Sequence, residues 1–163
     1  MILIALGANL PSRAGEPAQT LAAALAALDQ HGVKVLGVSS YYVTPAWPDP
    51  SDPPFVNAVA RIETERTPDA LMNLLHETET AFGRVRSQKN APRTLDLDLL
   101  DYDGRIQAGP PSLPHPRLAD RAFVLVPLGD VAPRWRHPVT RQSVQELLAA
   151  LPEAERNARK LTS

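Results

Sequence analysis

The chain contains no cysteine, so neither a disulfide framework nor a thiolate metal site can be built from it. Lysine is scarce: of 17 basic residues only Lys34, Lys89 and Lys160 are not arginine. Aromatic residues make up 5% of the chain, too few to suggest the stacking surface of a single-strand RNA binder. No apolar run approaches the roughly 20 residues that cross a bilayer. The apolar start, Met1 to Gly7, lacks a basic leader and stops at a glycine, so it does not read as a signal peptide. A cytoplasmic protein without membrane association is expected. The formal net charge of −1 offers no global attraction to nucleic acid, and no such partner is expected. Walker A and protein-kinase glycine-loop sequences are both missing, so a bound nucleotide would have to be held by metal and arginines.

What remains is ordinary for a globular protein. The 163 residues, 44% hydrophobic and 21% charged, fit a single domain over 1–163, expected to be a monomer. Ile2 to Leu6 reads as a buried strand ending in the turn signal Gly7-Ala8-Asn9. Leu21, Ala24, Leu25 and Leu28 recur at helical spacing between Glu16 and Gln30. Val33 to Val43 predicts a second strand. Residues 44–54 hold five prolines and exclude a regular element. A strand resumes over Phe55 to Ile62, so this stiff segment reads as a functional loop and not as an interdomain linker.

Thr67-Pro68 predicts a capped helix start, with Leu71, Leu74, Leu75, Thr78 and Phe82 on one side of a helix running to Gly83. A strand over Thr94 to Tyr102 follows. The order β-α-β-β-α-β predicts an α+β, ferredoxin-like core, an antiparallel sheet with helices on one face. A C-terminal extension adds helical stretches near 123–129 and 142–151, and the tail beyond Pro152 is expected to fray. Such sheets serve many functions, so function has to come from sites.

The segment from Gly83 to Leu100 carries the chemistry. Alternation puts Asp96 and Asp98 on one face of their strand, with Leu95, Leu97 and Leu99 turned into the core. Two adjacent carboxylates repel unless a divalent cation lies between them, and hard oxygen ligands suit Mg²⁺. An acidic pair facing water is the commoner situation. Here, however, Arg84, Arg86, Lys89 and Arg93 closely precede the pair, and carboxylates beside cations are what a metal-bound polyphosphate needs. A surface salt-bridge network would show the same residues.

The run Pro92-Arg93-Thr94-Leu95-Asp96-Leu97-Asp98-Leu99-Leu100 is similar to the signature of the 6-hydroxymethyl-7,8-dihydropterin pyrophosphokinases. Four further pieces resemble that family in the same order: Ala5 to Leu10, Tyr42 to Pro45, Phe55 to Ala58, and Pro114-His115-Pro116 followed by Arg121 to Leu125. The resemblance spans nearly the whole chain. It implies transfer of pyrophosphate from ATP to the pterin, giving AMP and the pterin diphosphate, in folate biosynthesis. It further implies two Mg²⁺ ions on Asp96 and Asp98, and a pterin between Phe55 and Phe123, with Asn57 reading its edge and Thr44 and Pro45 lining the pocket. Arg86, Arg93, His115 and Arg121 would surround the phosphates, Leu99 would meet adenine through its backbone, and Arg84 and Arg93 would assist catalysis. Glu79 fits the pattern without a defined role.

Taken singly, each phenylalanine reads as core, Asn57 as a polar strand residue and His115 as a loop histidine. Five positions depart from the family pattern: Asn90-Ala91 replace a tryptophan-glycine pair, Lys89 an arginine, His76 a glutamine and Pro116 a tyrosine. The loops at 44–54 and 84–92 are expected to close over bound substrates. An RNA-binding module and a two-metal phosphodiesterase are the competing readings; pterin-dependent release of AMP separates the kinase from both.

Overall fold

The computed structural model describes residues 1–45, 51–84, 94–156 and 158–161. The chain runs β1 (Ile2–Ala8), α1 (Pro17–Gln30), β2 (Lys34–Val38), β3 (Tyr42–Thr44), β4 (Phe55–Glu63), α2 (Pro68–Ala81) and β5 (Asp96–Tyr102). After these come α3 (Ala122–Val131), α4 (Val144–Ala149) and a short β6 (Arg159–Lys160). The sheet order is β5-β1-β4-β3-β6, with β2 also paired to β4, and every pairing is antiparallel. This is the expected ferredoxin-like core.

The strand expected over Val33 to Val43 is divided in two. Ser39 makes the break possible, because its hydroxyl accepts from the Val59 N–H while its own N–H bonds the Val59 carbonyl. The ladder to β4 is thereby satisfied through a side chain where the backbone turns away. The cap expected at Thr67 is present: its hydroxyl accepts from the Ala70 N–H at 3.3 Å, with Pro68 in the first turn. Past α2, Gly83 takes φ +88°, a value that favours glycine.

Two cores lie on opposite faces of the sheet. On one, Ile2, Ile4 and Leu6 of β1 pack with Leu21 and Leu28 of α1 and Leu71 and Leu75 of α2. Leu95, Leu97 and Leu99 join this core, as alternation requires. On the other, Leu3, Val59 and Leu100 pack with Val124, Leu125 and Leu128 of α3 and with Trp135.

That second core belongs to the C-terminal extension. The core helices α1 and α2 do share a face, but the C-terminal extension covers the other. A hydrogen bond ties it down: Trp135 Nε1 donates to the buried Asp101 carboxylate at 2.8 Å. The tail does not simply fray either, since Arg159 and Lys160 pair with Val43 and Tyr42.

Leu125 is fully buried in the second core. Truncating it to alanine should cost about 2–5 kcal/mol. Chemical denaturation of Leu125→Ala should show a lower midpoint in one cooperative transition. An early, separate transition would mean that the extension folds independently of the sheet.

Candidate active site

The register of three strands builds the floor of the site. Gly7 of β1 lies opposite Asn57 of β4 on one side and opposite Asp96 of β5 on the other. Ala5 lies in the same way between Val59 and Asp98. Directly paired residues project from the same face, so two carboxylates, two minimal side chains and a carboxamide share one surface. The start of α3 closes this surface with Phe123 and Val124. The result is a shallow recess lined by Ala5, Leu6, Gly7, Asn57, Asp96, Asp98, Phe123 and Val124.

Cations approach the carboxylates from separate parts of the chain. Arg84 Nη1 lies 2.6 Å from Asp96 Oδ1. His115 Nε2 and Arg121 Nη1 each lie 3.9 Å from an oxygen of Asp98. Arg121 also stands over the Phe123 ring, with its guanidinium carbon 5.4 Å from the centroid. The proposed phosphate side and the proposed ring side therefore meet at the first turn of α3.

Burial dominates the electrostatics of the site. Burial, and then the neighbouring Asp96, push the Asp98 carboxyl up to about 7, with Arg121 acting in the opposite direction. His115 is pulled down to about 4, first by burial and then by Arg121. At neutral pH its imidazole is therefore uncharged. Its Nδ1 accepts from the Arg117 N–H at 3.1 Å, which leaves the ring proton on Nε2, the nitrogen nearest Asp98.

Glu79 acquires a structural position that the sequence did not reveal. It is 1% exposed, and one of its oxygens accepts both from Arg84 Nη1 and from the Leu97 N–H, each at 2.7 Å. Leu97 lies between the two aspartates, so the last turn of α2 is fastened to the strand that carries them. The only sequence signal was a glutamate on the core-facing side of a helix, which is rarely left there unpaired. Burial opposes the charge of Arg84, but Asp96 and Glu79 outweigh it and raise its pKa.

Asn57 and Thr44 are both buried, and Asn57 Nδ2 donates to Thr44 Oγ1 at 2.8 Å. Phe55 pairs with Thr44 in register and is half-buried, while Phe123 is 37% exposed. Pro45 is exposed at the end of β3. The side chain of Leu99 is buried, but β5 is the sheet edge, and the Leu97 N–H turns outward to Glu79. Just beyond Leu99 the register with β1 shifts, and the Leu100 carbonyl accepts from the His115 N–H at 2.9 Å.

Arg86 and Arg93 lie outside the described residues, as do Lys89, Asn90-Ala91 and most of the 84–92 loop. Residues 46–50 of the proline-rich loop also lie outside them. His76 is exposed on α2. Among the described residues no three carboxylate or imidazole groups converge as a closed metal site. Two carboxylates on one face nonetheless fit Mg²⁺, which binds through one or two carboxylates together with substrate phosphates and water.

A sequence profile of the 7,8-dihydro-6-hydroxymethylpterin-pyrophosphokinase family matches residues 3–133. The chain belongs to that family. The pyrophosphokinase is 38% identical over 150 residues to the 2-amino-4-hydroxy-6-hydroxymethyldihydropteridine pyrophosphokinase of Methylorubrum extorquens, covering 91% of each chain. It is 39% identical over 153 residues to the enzyme of the same name from Pseudomonas aeruginosa, covering 93% of this chain and 91% of that one. Among solved structures, the HPPK-DHPS protein of Plasmodium falciparum matches with a TM-score of 0.69 at 14% identity. That match covers 91% of this chain and 40% of the longer protein, and it supports the fold. As a family member the chain is a pyrophosphokinase of folate biosynthesis.

The raised Asp98 pKa has a sign that can be checked. The unfolded group titrates near 3.8 and the folded one near 7, so between these values the folded state holds the extra proton. The stability penalty from this group is absent below about pH 4, grows with rising pH and is complete above about pH 7. Without added metal, Asp98→Asn should therefore melt a few degrees higher than the parent at pH 8, and the gap should close toward pH 4. Equal melting temperatures at pH 8 would mean that the carboxylate carries no such penalty.

Proposed function

We propose that this pyrophosphokinase moves the terminal diphosphoryl group of ATP onto the hydroxymethyl oxygen of 6-hydroxymethyl-7,8-dihydropterin in the recess between β1, β4, β5 and α3. The observation that supports it best is the pairing of Asp96 and Asp98 on one face, with Arg84, His115 and Arg121 beside them and Asn57 across the floor. Asp96 and Asp98 would hold Mg²⁺, two ions in this reading. The metal supplies charge neutralisation on the phosphate oxygens and orientation of the phosphate chain.

The chain's own residues do the rest. Asn57, fixed by Thr44, offers an amide edge to the pterin, while Phe55 and Phe123 offer aromatic faces to its ring. Thr44 and Pro45 line the pocket. Arg121 and the Nε2–H of neutral His115 point donors toward the phosphate side of Asp98. Arg86 and Arg93 belong to the same set of phosphate ligands, Arg84 and Arg93 assist the transfer, and the Leu99 backbone meets the adenine at the open edge of β5. The pterin hydroxyl oxygen attacks the β-phosphorus, the bond from that phosphorus to the α–β bridging oxygen breaks, AMP leaves, and the hydroxyl proton passes to water. Holding the reacting atoms in line and compensating charge supply the acceleration.

Among the described residues no helix is long and apolar enough to cross a membrane. A monomeric, cytoplasmic, single-domain enzyme with ATP and the pterin as partners completes the reading.

Incubation with ATP, Mg²⁺ and 6-hydroxymethyl-7,8-dihydropterin should release AMP, and omission of pterin or Mg²⁺ should abolish it. Asp96→Ala and Asp98→Ala should each lose about a thousandfold or more in kcat while keeping the folded circular-dichroism signature. Near-normal turnover by either variant would overturn the metal assignment. AMP release without pterin would favour a phosphodiesterase instead.

A further inference from the structure

Gly7 occupies the middle of the row Asn57–Gly7–Asp96, and its lack of a side chain is not explained by its backbone. It is regularly paired on both sides within β1, and its φ is not positive, unlike those of Gly32, Gly83 and Gly104. At those three positions an added Cβ would meet open space. At Gly7 it would lie 2.9 Å from Asn57 Oδ1 and 3.8 Å from Phe55 Cδ1. Conformation demands those three glycines, whereas neighbours demand Gly7.

Asn57 cannot readily give way. Its Nδ2 is committed to Thr44 Oγ1 at 2.8 Å, and both residues are buried, so turning the amide aside breaks a hydrogen bond out of reach of bulk water. That bond also fixes which end of the amide faces Gly7: the oxygen does. The carboxamide keeps one N–H beyond the Thr44 bond together with its oxygen, a donor and an acceptor side by side. Such an edge complements a lactam-type ring edge that presents an adjacent acceptor and donor.

We propose that Gly7 is the specificity-determining residue of the heterocycle subsite. By lacking a side chain it leaves the Asn57 amide in the orientation that reads a flat ring's lactam edge, and keeps the strand open beneath that ring. The inference rests on the proposed function, from which it takes the placement of the pterin beside Asn57. A single methyl at this position selects against the pterin while leaving the nucleotide side, beyond Asp98 at the other end of the recess, unchanged.

A mutant cycle of the parent, Gly7→Ala, Asn57→Ala and the double variant tests it. Pterin would be titrated calorimetrically in the presence of Mg²⁺ and a non-hydrolysable ATP analogue, and the analogue would be titrated separately. Gly7→Ala should raise the Kd and KM for pterin about tenfold or more, with the analogue's Kd changed less than about twofold. Melting temperatures supply a readout that needs no ligand: Gly7→Ala should lower the value in the parent but not once Asn57 is alanine, because the clashing oxygen is then gone.

Unchanged pterin affinity in Gly7→Ala would overturn the proposal, as would equal losses for pterin and the analogue. An equal drop in melting temperature in both backgrounds would overturn it too, because the effect would not run through Asn57. If the parent itself binds the analogue but no pterin, the proposed function fails first, and the melting cycle still reports whether the Gly7–Asn57 packing is as described.

Discussion

The position of β1 between β4 and β5 is the constraint on which the rest depends. This strand is paired on both edges and buried on both faces, with Ile2, Ile4 and Leu6 in one core and Leu3 in the other. A slip of one residue would exchange the two faces, putting isoleucine and leucine into the site and the small residues into a core. Both cores therefore hold the register, and the register is what places Gly7 between Asn57 and Asp96 and Ala5 between Val59 and Asp98. The recess follows from pairing two large-residue faces around a strand whose site end is small.

Charge is arranged around that frame at some cost to the empty protein. Asp96 and Asp98 are adjacent on one face, and burial, then the neighbouring Asp96, raise the Asp98 pKa despite Arg121 and Arg84. In the proposed function these two carboxylates are the metal ligands, which accounts for their lying side by side. Glu79 adds a third carboxylate nearby, yet it is buried and occupied by Arg84 and the Leu97 N–H. Its chemistry is positional: it fixes the strand that presents the other two. His115 stays neutral for a related reason: burial first, and then the neighbouring Arg121, oppose a charge on its ring.

Local patterns made much of this legible in the sequence. Period-two alternation through Leu95 to Leu99 correctly divided carboxylates from core, and Thr67-Pro68 correctly marked the start of α2. Those features depend on neighbours within a few residues. The features that escaped depend on distant ones. Val33 to Val43 reads as one strand because nothing local reveals that the Ser39 hydroxyl will replace a ladder bond to Val59. The second core was hidden because Val124, Leu125 and Leu128 form a short apolar run whose partners, Leu3 and Val59, lie far away in sequence. Glu79 looked unassigned for the same reason, as its meaning lies in a backbone N–H eighteen residues on. The family signature brought the site residues together on paper, but their separation into a floor, a cationic rim and an aromatic wall required the fold.

The site's two sides are joined through rigid elements. Arg121 and Phe123 are two residues apart at the start of α3, and the guanidinium stands over the ring, so a shift of that helix moves the proposed phosphate ligand and the proposed ring-stacking aromatic together. Across the floor, Asp96 and Asn57 are each paired to the same residue of β1, which holds their spacing to the width of two strand intervals. A reaction between a hydroxyl on a flat ring and a phosphorus within a charged chain needs this kind of fixed separation. Misplacing either partner by about an ångström can cost orders of magnitude in rate. Covering the second face of the sheet with the C-terminal extension thus does more than bury apolar surface: it holds α3 against β4, and so keeps the aromatic and cationic wall at a set distance from the carboxylates.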